Sequence, residues 1–428
     1  MLLCPNPMAD VAIGSRAGDL DWQRGIMAKR WNRMETWLAL IVVAVGGVLA
    51  GVAGLHVYVT ATATQLHPEP SQVPSAATTT PARQWSHAVD RGRQIVRAGA
   101  SEQNLPGVSV AVGVGGTLVW AEGFGWADLE RRTPVEPETR FMIGTASTVL
   151  TSAAVGLLLE QRRVDLDADI QTYVQEFPRK EWPVTLRHLA GHQAGVRTDA
   201  GDEGPLLSTR CWRPVDGVRE FAGQSLLFAP GTAYRPSSYG WILVSAAVEA
   251  AAHEPFMTFM RDRVFKPLHM DDTGAGAAIA AKHRATQYFP RYAADPRYGP
   301  DPMRPIDHSC YAGASAFLST PSDLVRFGMA IDSGALLQPA TAQLLQTSQR
   351  LPSGEETGYG LGWDLGTVTV AGTPRRVVGH DGEVLGGTVA TLMLLREDGI
   401  VVAVTSNTSY ADTRALALGI ADAFAAAH

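Results

Sequence analysis

The feature that most constrains this chain is an uncharged apolar run of 23 residues, 37–59, near its N-terminus. At a rise of about 1.5 Å per residue, a helix of that length crosses a hydrocarbon core of about 30 Å. No polar stripe interrupts the run, whereas the core helix of a globular domain usually has one. We therefore predict a single transmembrane helix over residues 37–59.

Basic residues are distributed unequally on the two sides of this run. The side before it carries Arg16, Arg24, Lys29, Arg30 and Arg33. The next basic residue after it is Arg83. This asymmetry predicts a cytoplasmic N-terminal segment, 1–36, and a periplasmic or extracellular C-terminal domain.

A cleaved signal peptide is the alternative reading of the same run. Residues 61–63 (ATA) have the small-residue form of a cleavage site, and Met27 could serve as the start. The run is longer than the roughly 7–15 apolar residues of an ordinary signal peptide, which favours an uncleaved anchor.

Residues 60–84 are rich in Thr, Ala, Pro and Ser and have no apolar period, so we predict a tether there. Residues 85–428 are then one exported domain. The whole chain has 42 acidic and 36 basic residues, a net charge of −6, and the domain has no basic run. A nucleic-acid partner is therefore not expected.

Three cysteines are too few for a disulfide scaffold. Cys211 and Cys310 lie in the predicted exported domain, where an oxidising compartment permits a disulfide. The sequence alone does not say whether they meet.

The periodicity of the domain predicts sheet, then helices and loops, then sheet again. A helix is predicted over 85–100, followed by a hairpin that turns at Gly115 and Gly116. A buried helix is predicted over 145–162. A second hairpin joins 387–395 to the strand that begins at Ile400, and an Ala-rich helix over 411–427 closes the chain.

Eight ordered segments of the domain resemble the serine β-lactamase and penicillin-binding-protein superfamily, in particular its class C-like branch. They are FMIG (141–144), RVDLDAD (163–169), VTLRHLAGHQAG (184–195), FAPGT (228–232), YGWIL (239–243), VFKPLHM (264–270), AGASAFLST (312–320) and GHDG (379–382). The resemblance implies an α+β fold, an α/β sandwich. Its antiparallel sheet is flanked by N- and C-terminal helices and carries an inserted helical lobe, with the active site in the cleft between lobe and sheet.

The chemistry of that superfamily needs a Ser nucleophile followed three residues later by Lys, on one face of the buried helix. A Tyr-x-Asn element supplies a second acid/base, and a Lys/His-x-Gly element lines the opposite wall. Backbone N–H groups stabilise the oxyanion. No metal or other cofactor is implied.

In this chain the resemblance places that site on residues that mostly lack its chemistry. The positions that match the catalytic residues are Thr145, Thr148, Pro236, Ser238 and His380. The adjoining positions that match the substrate-binding wall are Ser147, Ser237, Asp381 and Gly382. Threonine thus replaces both nucleophile and base, proline replaces the phenol, and only the His-x-Gly element survives.

Other arrangements of the same residues were weighed. Lysine is scarce, with only Lys29, Lys180, Lys266 and Lys282, and none stands at a motif position. A Ser-His-Asp set of Ser147 or Ser238 with His380 and Asp381 is the remaining catalytic alternative. The i, i+4 pair His188 and His192 lacks the Glu of a metalloprotease motif, so no metal site is expected.

Two functions follow from these substitutions. The favoured one is a membrane-anchored pseudoenzyme that binds a peptide, a cell-wall fragment or a protein partner without covalent turnover. The alternative is an active serine or threonine hydrolase of esterase, β-lactamase or D-amino-acid peptidase type. Nothing in the sequence indicates self-assembly.

Overall fold

The computed structural model describes residues 16–78, 80–197, 206, 209–275, 283–304, 306–384 and 387–427. Lys282 lies outside these residues. The chain divides into two compact units, Met1–Thr62 and Ala63–His428.

The described part of the first unit is one helix, α1 (Arg16–Thr62). Its segment Glu35–Thr62 contains the predicted run, and the most apolar 18 residues of that segment have a mean hydropathy of 2.6. Within the described residues it is the one helix that is long and apolar enough to cross a membrane.

The second unit is built on a mixed helix and antiparallel-sheet fold. The strands of its main sheet, within the described residues, are β1 (Ser75–Ala77), β2 (Gly107–Val114), β3 (Thr117–Asp128), β4 (Thr133–Pro134), β10 (Asp364–Val370), β11 (Thr373–Val384), β12 (Thr388–Leu395) and β13 (Ile400–Ser406). Their order is β1-β3-β2-β13-β12-β11-β10, with β4 added to β3, and neighbours are antiparallel. The predicted fold class is confirmed.

Two smaller sheets complete the strands. One joins β5 (Phe141–Met142), β9 (Phe317–Ser319) and β6 (Gly274–Ala275). The other pairs β7 (Tyr288–Pro290) with β8 (Pro300–Pro302).

One face of the main sheet is covered by the two terminal helices, α2 (Ser86–Glu102) and α10 (Thr413–Ala425). A separate apolar core lies between these helices and the sheet. The other face packs on the helical lobe. The described lobe helices are α3 (Ser147–Glu160), α4 (Leu186–Ala190), α5 (Pro214–Phe221), α6 (Ser238–Ala252), α7 (Phe256–Phe259), α8 (Pro321–Ser333) and α9 (Pro339–Leu345). Two cores on opposite faces explain why β2, β12 and β13 are buried along their whole length.

Both predicted hairpins are present. Gly115 and Gly116 have φ of 56° and 80°, and this left-handed conformation suits a two-residue hairpin turn between β2 and β3. Gly399, with φ of 60°, ends the turn between β12 and β13.

The predicted tether over 60–84 is wrong for much of its length. Residues 75–77 form the edge strand β1, which pairs with β3. Val73 and His67 are buried, and the Leu66 N–H donates to the Asn104 side chain at 2.8 Å. Residues 60–84 have few apolar side chains, and their composition therefore predicted a tether. A buried Val73 and backbone pairing with β3 are enough to hold the segment in place.

The two cysteines of the domain form a disulfide. Cys211 and Cys310 have Cα atoms 4.8 Å apart and are separated by 99 residues in sequence. The bond joins the loop before α5 to the segment before β9, and so answers the pairing question that the sequence left open.

Candidate active site

The site begins where the N-terminus of α3 meets strand β11. A Cβ on Gly382 would lie 2.1 Å from the Ile143 carbonyl oxygen. A Cβ on Gly144, whose φ is 55°, would lie 2.5 Å from the Glu383 carbonyl carbon. Only glycine permits this approach at either position, and it brings the start of α3 directly against the backbone of β11.

Thr145 and His380 meet at one oxygen atom as a result. The Thr145 hydroxyl donates to the Asp381 carbonyl oxygen at 3.3 Å. The Nδ1 atom of His380 lies 2.5 Å from the same oxygen. The two side-chain atoms are therefore no farther apart than the sum of these distances. A carbonyl oxygen accepts a hydrogen bond but does not remove a proton, so this contact supplies no base to Thr145.

The other imidazole nitrogen of His380 contacts Tyr359. The phenol oxygen lies 3.2 Å from Nε2, and both side chains are buried. The carbonyl oxygen can only accept, so a proton on Nδ1 donates to it; in the neutral ring Nε2 is then the acceptor and the phenol donates to it. The Asp364 carboxylate lies 3.9 Å from Nδ1. The basic nitrogen of His380 is therefore occupied from within the protein.

Tyr359 is held as a protonated phenol. Burial, and then the charge of Asp364, raise its pKa well above the usual value, while the nearby Thr148 hydroxyl offsets part of this rise. A phenol with such a pKa donates hydrogen bonds and does not act as a base near neutral pH.

His192 adds a second neutral ring to the site. Its ring centroid is 4.7 Å from that of Tyr359, and its Nδ1 accepts the Ser237 N–H at 3.1 Å. Complete burial, and secondarily electrostatic coupling to His380, lower its pKa to about 3. His192 is therefore uncharged at neutral pH and fills space beside Tyr359. Burial also raises the pKa of the adjacent Tyr234 to about 12.

The structure places the matched catalytic positions as follows. Thr145 and His380 share the Asp381 carbonyl, and Thr148 lies beside Tyr359 and donates to the Gly362 carbonyl at 3.4 Å. Pro236 is exposed and Ser238, the first residue of α6, is half-buried. The loop that carries them reaches the site through the contact of Ser237 with His192.

The matched binding positions have mainly local contacts. The Ser237 hydroxyl caps α6 by accepting the Gly240 N–H at 3.1 Å. Ser147 is fully buried and its oxygen accepts the Phe317 N–H at 3.4 Å. Gly382 provides the close approach described above.

The Ser-His-Asp alternative is not formed by Ser147 and Asp381. The Asp381 carboxylate accepts from Thr391 at 2.8 Å and pairs with Arg414 at 2.6 Å. His380 and Asp381 are neighbours on one strand, so their side chains point to opposite faces of the sheet. The carboxylate therefore faces α10 and does not orient the imidazole.

The sequence analysis did not identify Tyr359 or the role of His192. Tyr359 begins the segment YGLGW (359–363), only 21 residues before His380, and this aromatic, Gly-rich segment was the available signal. His192 was considered only as a metal ligand. The contacts of His188 and His192 are both structural. His188 Nδ1 faces the Thr185 N–H within a capping box, and His192 Nδ1 accepts the Ser237 N–H. The described residues contain no group of side chains suited to a metal ion.

A hydroxyl residue at the start of the buried helix, set against a His-x-Gly strand in an α/β sandwich, defines a β-lactamase-type site. The sequence matches the Beta-lactamase family over residues 93–427, and the chain belongs to that family.

Individual proteins of known name or structure are similar to this chain. The chain is 25% identical to the mitochondrial serine beta-lactamase-like protein LACTB of Homo sapiens, covering 82% of this chain and 84% of that protein. The Bos taurus protein of the same name is also 25% identical, covering 79% of this chain and 80% of its own length. The octameric penicillin-binding protein homologue from Pyrococcus abyssi has a similar fold, with a TM-score of 0.65, 23% identity, and coverage of 77% and 76%.

Proposed function

We propose that this protein is a membrane-anchored pseudoenzyme of the β-lactamase family, which binds a ligand or partner without forming an acyl-enzyme. The ligand would be a peptide, a cell-wall fragment or a protein displayed to the exported domain. The observation that carries this proposal is the set of contacts made by Thr145, whose hydroxyl faces a carbonyl oxygen where a base is required.

The remaining proton acceptors near Thr145 support the same conclusion. His380 Nε2 is hydrogen-bonded to the Tyr359 phenol, and Tyr359 is itself a buried, neutral hydrogen-bond donor. In the family chemistry a lysine takes the nucleophile's proton and its charge favours ionisation of a neighbouring phenol. Thr148 supplies neither a charge nor a base.

The described lysines of the domain are engaged elsewhere. The Lys180 ammonium donates to the Ala222 and Gln224 carbonyl oxygens, and Lys266 pairs with Asp262 at 2.8 Å. General acid–base groups each contribute about 10²–10⁴ in rate, and groups that act as a unit lose their joint effect together.

The anchor is part of the proposal. The apolar segment Glu35–Thr62 matches the thickness of a bilayer, and basic residues precede it without an equivalent after it. We place the N-terminus in the cytoplasm and the domain outside. Protease added to intact cells or spheroplasts should digest the domain from Gly107 onward and spare the N-terminus, whereas a protected domain would reverse this orientation.

The enzymatic half of the proposal is tested on the full chain in lipid nanodiscs. The protein is exposed to a fluorescent penicillin and to a fluorophosphonate, and its intact mass is then measured. We expect no adduct and no turnover of a nitrophenyl ester. An adduct that disappears in Thr145→Ala would show that Thr145 is a working nucleophile, and the protein would be a hydrolase.

A further inference from the structure

A second cavity, of about 570 Å³, lies beside the disulfide. Its apolar wall includes Met142, Phe256 and Met257, and its polar wall includes Arg284 and His308, with Trp212 also lining it. None of the positions matched to the family's catalytic motifs lines it. The volume is within the range of about 300–1,000 Å³ that small-molecule sites occupy, and the mixture of apolar walls with few polar groups is typical of such sites. We call it the disulfide cavity.

The polar groups of the disulfide cavity are arranged unequally. Each of its two acids has a partner: Glu249 pairs with Arg213 at 2.6 Å and accepts the Phe256 N–H, and Asp307 accepts the Ser309 N–H at 2.9 Å. Arg284 differs, because within the described part of the chain no hydrogen bond or ion pair engages its guanidinium. Among the described residues, the positive charge of Arg284 therefore has no neutralising partner.

The partial burial of Arg284 favours binding of an anion. Partial burial lowers the pKa of its guanidinium, although arginine stays charged in proteins. A charge that has lost water without gaining a partner is costly, and a bound carboxylate offsets that cost by a bidentate contact.

His308 contributes a second unsatisfied group. Its side chain is 7% exposed and its Nε2 has no hydrogen-bond partner among the described residues. Burial, and then the charge of Arg284, lower its pKa to about 4, so the ring is neutral at pH 7. The cavity wall therefore combines the partly buried Arg284 guanidinium with one buried neutral polar ring.

The disulfide connects the two walls that carry these features. Cys211 lies between Arg210 and Trp212, while Cys310 follows His308 and Ser309. Trp212 is 80% exposed and its ring lies 4.5 Å below the Arg210 guanidinium. A large exposed aromatic ring at the edge of a cavity is suited to cover the apolar part of a ligand.

We propose that the disulfide cavity binds a small amphipathic anion, with its apolar body against Phe256 and Met257 and its single carboxylate at Arg284. The site is separate from the β-lactamase-type cleft, and the inference does not depend on whether that cleft is catalytic. The disulfide fixes the segment that carries Trp212 relative to the segment that carries His308.

The test compares two probes that differ only in charge, 2-naphthoate and 2-naphthamide. Each is titrated calorimetrically into the full chain in nanodiscs, and heats from empty nanodiscs are subtracted. We expect saturable binding of naphthoate that is at least about tenfold tighter than that of naphthamide, as a charge-assisted hydrogen bond predicts. Equal affinities, or no naphthoate binding, would overturn the proposal on the unmodified protein alone.

Variants then assign the preference to Arg284. Arg284→Gln should remove the preference for naphthoate and leave naphthamide affinity unchanged, while Arg284→Lys should keep part of it. Arg263→Gln is the matched control, since Arg263 is exposed and does not line the cavity. A preference for naphthoate that survives in folded Arg284→Gln would place the anion elsewhere and disprove the assignment.

Discussion

The β-lactamase-type cleft and the disulfide cavity differ in how their polar groups are satisfied. In the cleft, Thr145, Tyr359 and His380 hydrogen-bond within the protein, and His192 accepts a backbone N–H. In the cavity, Arg284 and one nitrogen of His308 lack described partners. Polar groups that have partners stabilise a fold, whereas unsatisfied ones favour binding of a ligand. The comparison teaches that the positions marked by family motifs and the positions with unsatisfied polar groups need not coincide.

The strongest attempt to break this comparison restores chemistry to the cleft. Thr145→Ser with Thr148→Lys returns a nucleophile and its base, and Pro236→Tyr with Ser238→Asn returns the second element. We expect nitrophenyl-ester hydrolysis at least about 10²-fold above the unmodified protein only in the fourfold variant.

Each pair of substitutions alone is the control for that experiment. A new lysine at position 148 would stand beside Tyr359, and its charge would lower the pKa of the phenol further than the Thr148 hydroxyl does. If one pair alone were as active as the fourfold variant, the missing groups would not act as a unit, and our account of the cleft would be incorrect.

The second prediction concerns the covalent support of the cavity. Replacing Cys211 and Cys310 by Ala opens a loop of 99 residues, and the free energy of unfolding should fall by about 4–5 kcal/mol in the chain-entropy account. Urea denaturation of the two forms measures this difference. Cys4→Ala is the control and should have no such effect. A loss below about 1 kcal/mol would mean that the disulfide contributes little to stability.

A third prediction tests the close approach that forms the cleft. Gly382→Ala places a methyl group 2.1 Å from the Ile143 carbonyl oxygen, so the free energy of unfolding should fall by about 2–3 kcal/mol. Gly366→Ala on the neighbouring strand β10 is the matched control, because its nearest contact would be the Val377 side chain at 3.6 Å. Equal stabilities in denaturation would show that the start of α3 can move away from β11 without cost.

The smallest predicted effect compares one histidine from each region. His192 and His308 have folded pKa values of about 3 and about 4, below the value of about 6.5 for an unfolded chain. As the pH falls below 6.5 the unfolded chain binds the proton first, so each histidine lowers stability, by about 2 kcal/mol at pH 5.

Substitution by Asn should remove that part of the acid sensitivity. His192→Asn keeps an acceptor for the Ser237 N–H and suits the φ of 57° at this position. His269→Asn is the control, because His269 is exposed and has a similar φ of 54°. The measurement is the change in unfolding free energy between pH 7.5 and pH 5, and an unchanged value in His192→Asn or His308→Asn would contradict the assigned protonation state.

Local patterns predicted the parts of this protein that local physics controls. Gly115 and Gly116 predicted the first hairpin because a tight turn needs left-handed residues. The replacement of lysine by Thr148 was readable because the motif spacing from FMIG (141–144) was intact. The alternation of side chains along a strand also separates His380 from Asp381, although the sequence analysis kept them as a catalytic pair.

Contacts between distant residues were not predictable in this way. Tyr359 approaches His380 from a separate segment, and the ring of His192, at the end of α4, packs on Tyr359. The contact with Tyr359 occupies Nε2 of His380, and no local spacing encodes it. Arg284 and His308 are ordinary polar residues in sequence, and only their shared cavity makes them a candidate site.

The sequence by itself determined the apolar N-terminal helix, the α/β sandwich and the loss of the Lys and Tyr of the family motif, because periodicity and motif spacing record local geometry. The tertiary structure decided that Cys211 pairs with Cys310, that the Tyr359 phenol is hydrogen-bonded to Nε2 of His380, and that residues 75–77 join the sheet. Each of these depends on a contact between segments far apart in the chain. Such contacts form only when burial of the whole core offsets the entropy of bringing the segments together, so the full fold has to be known before they can be assigned.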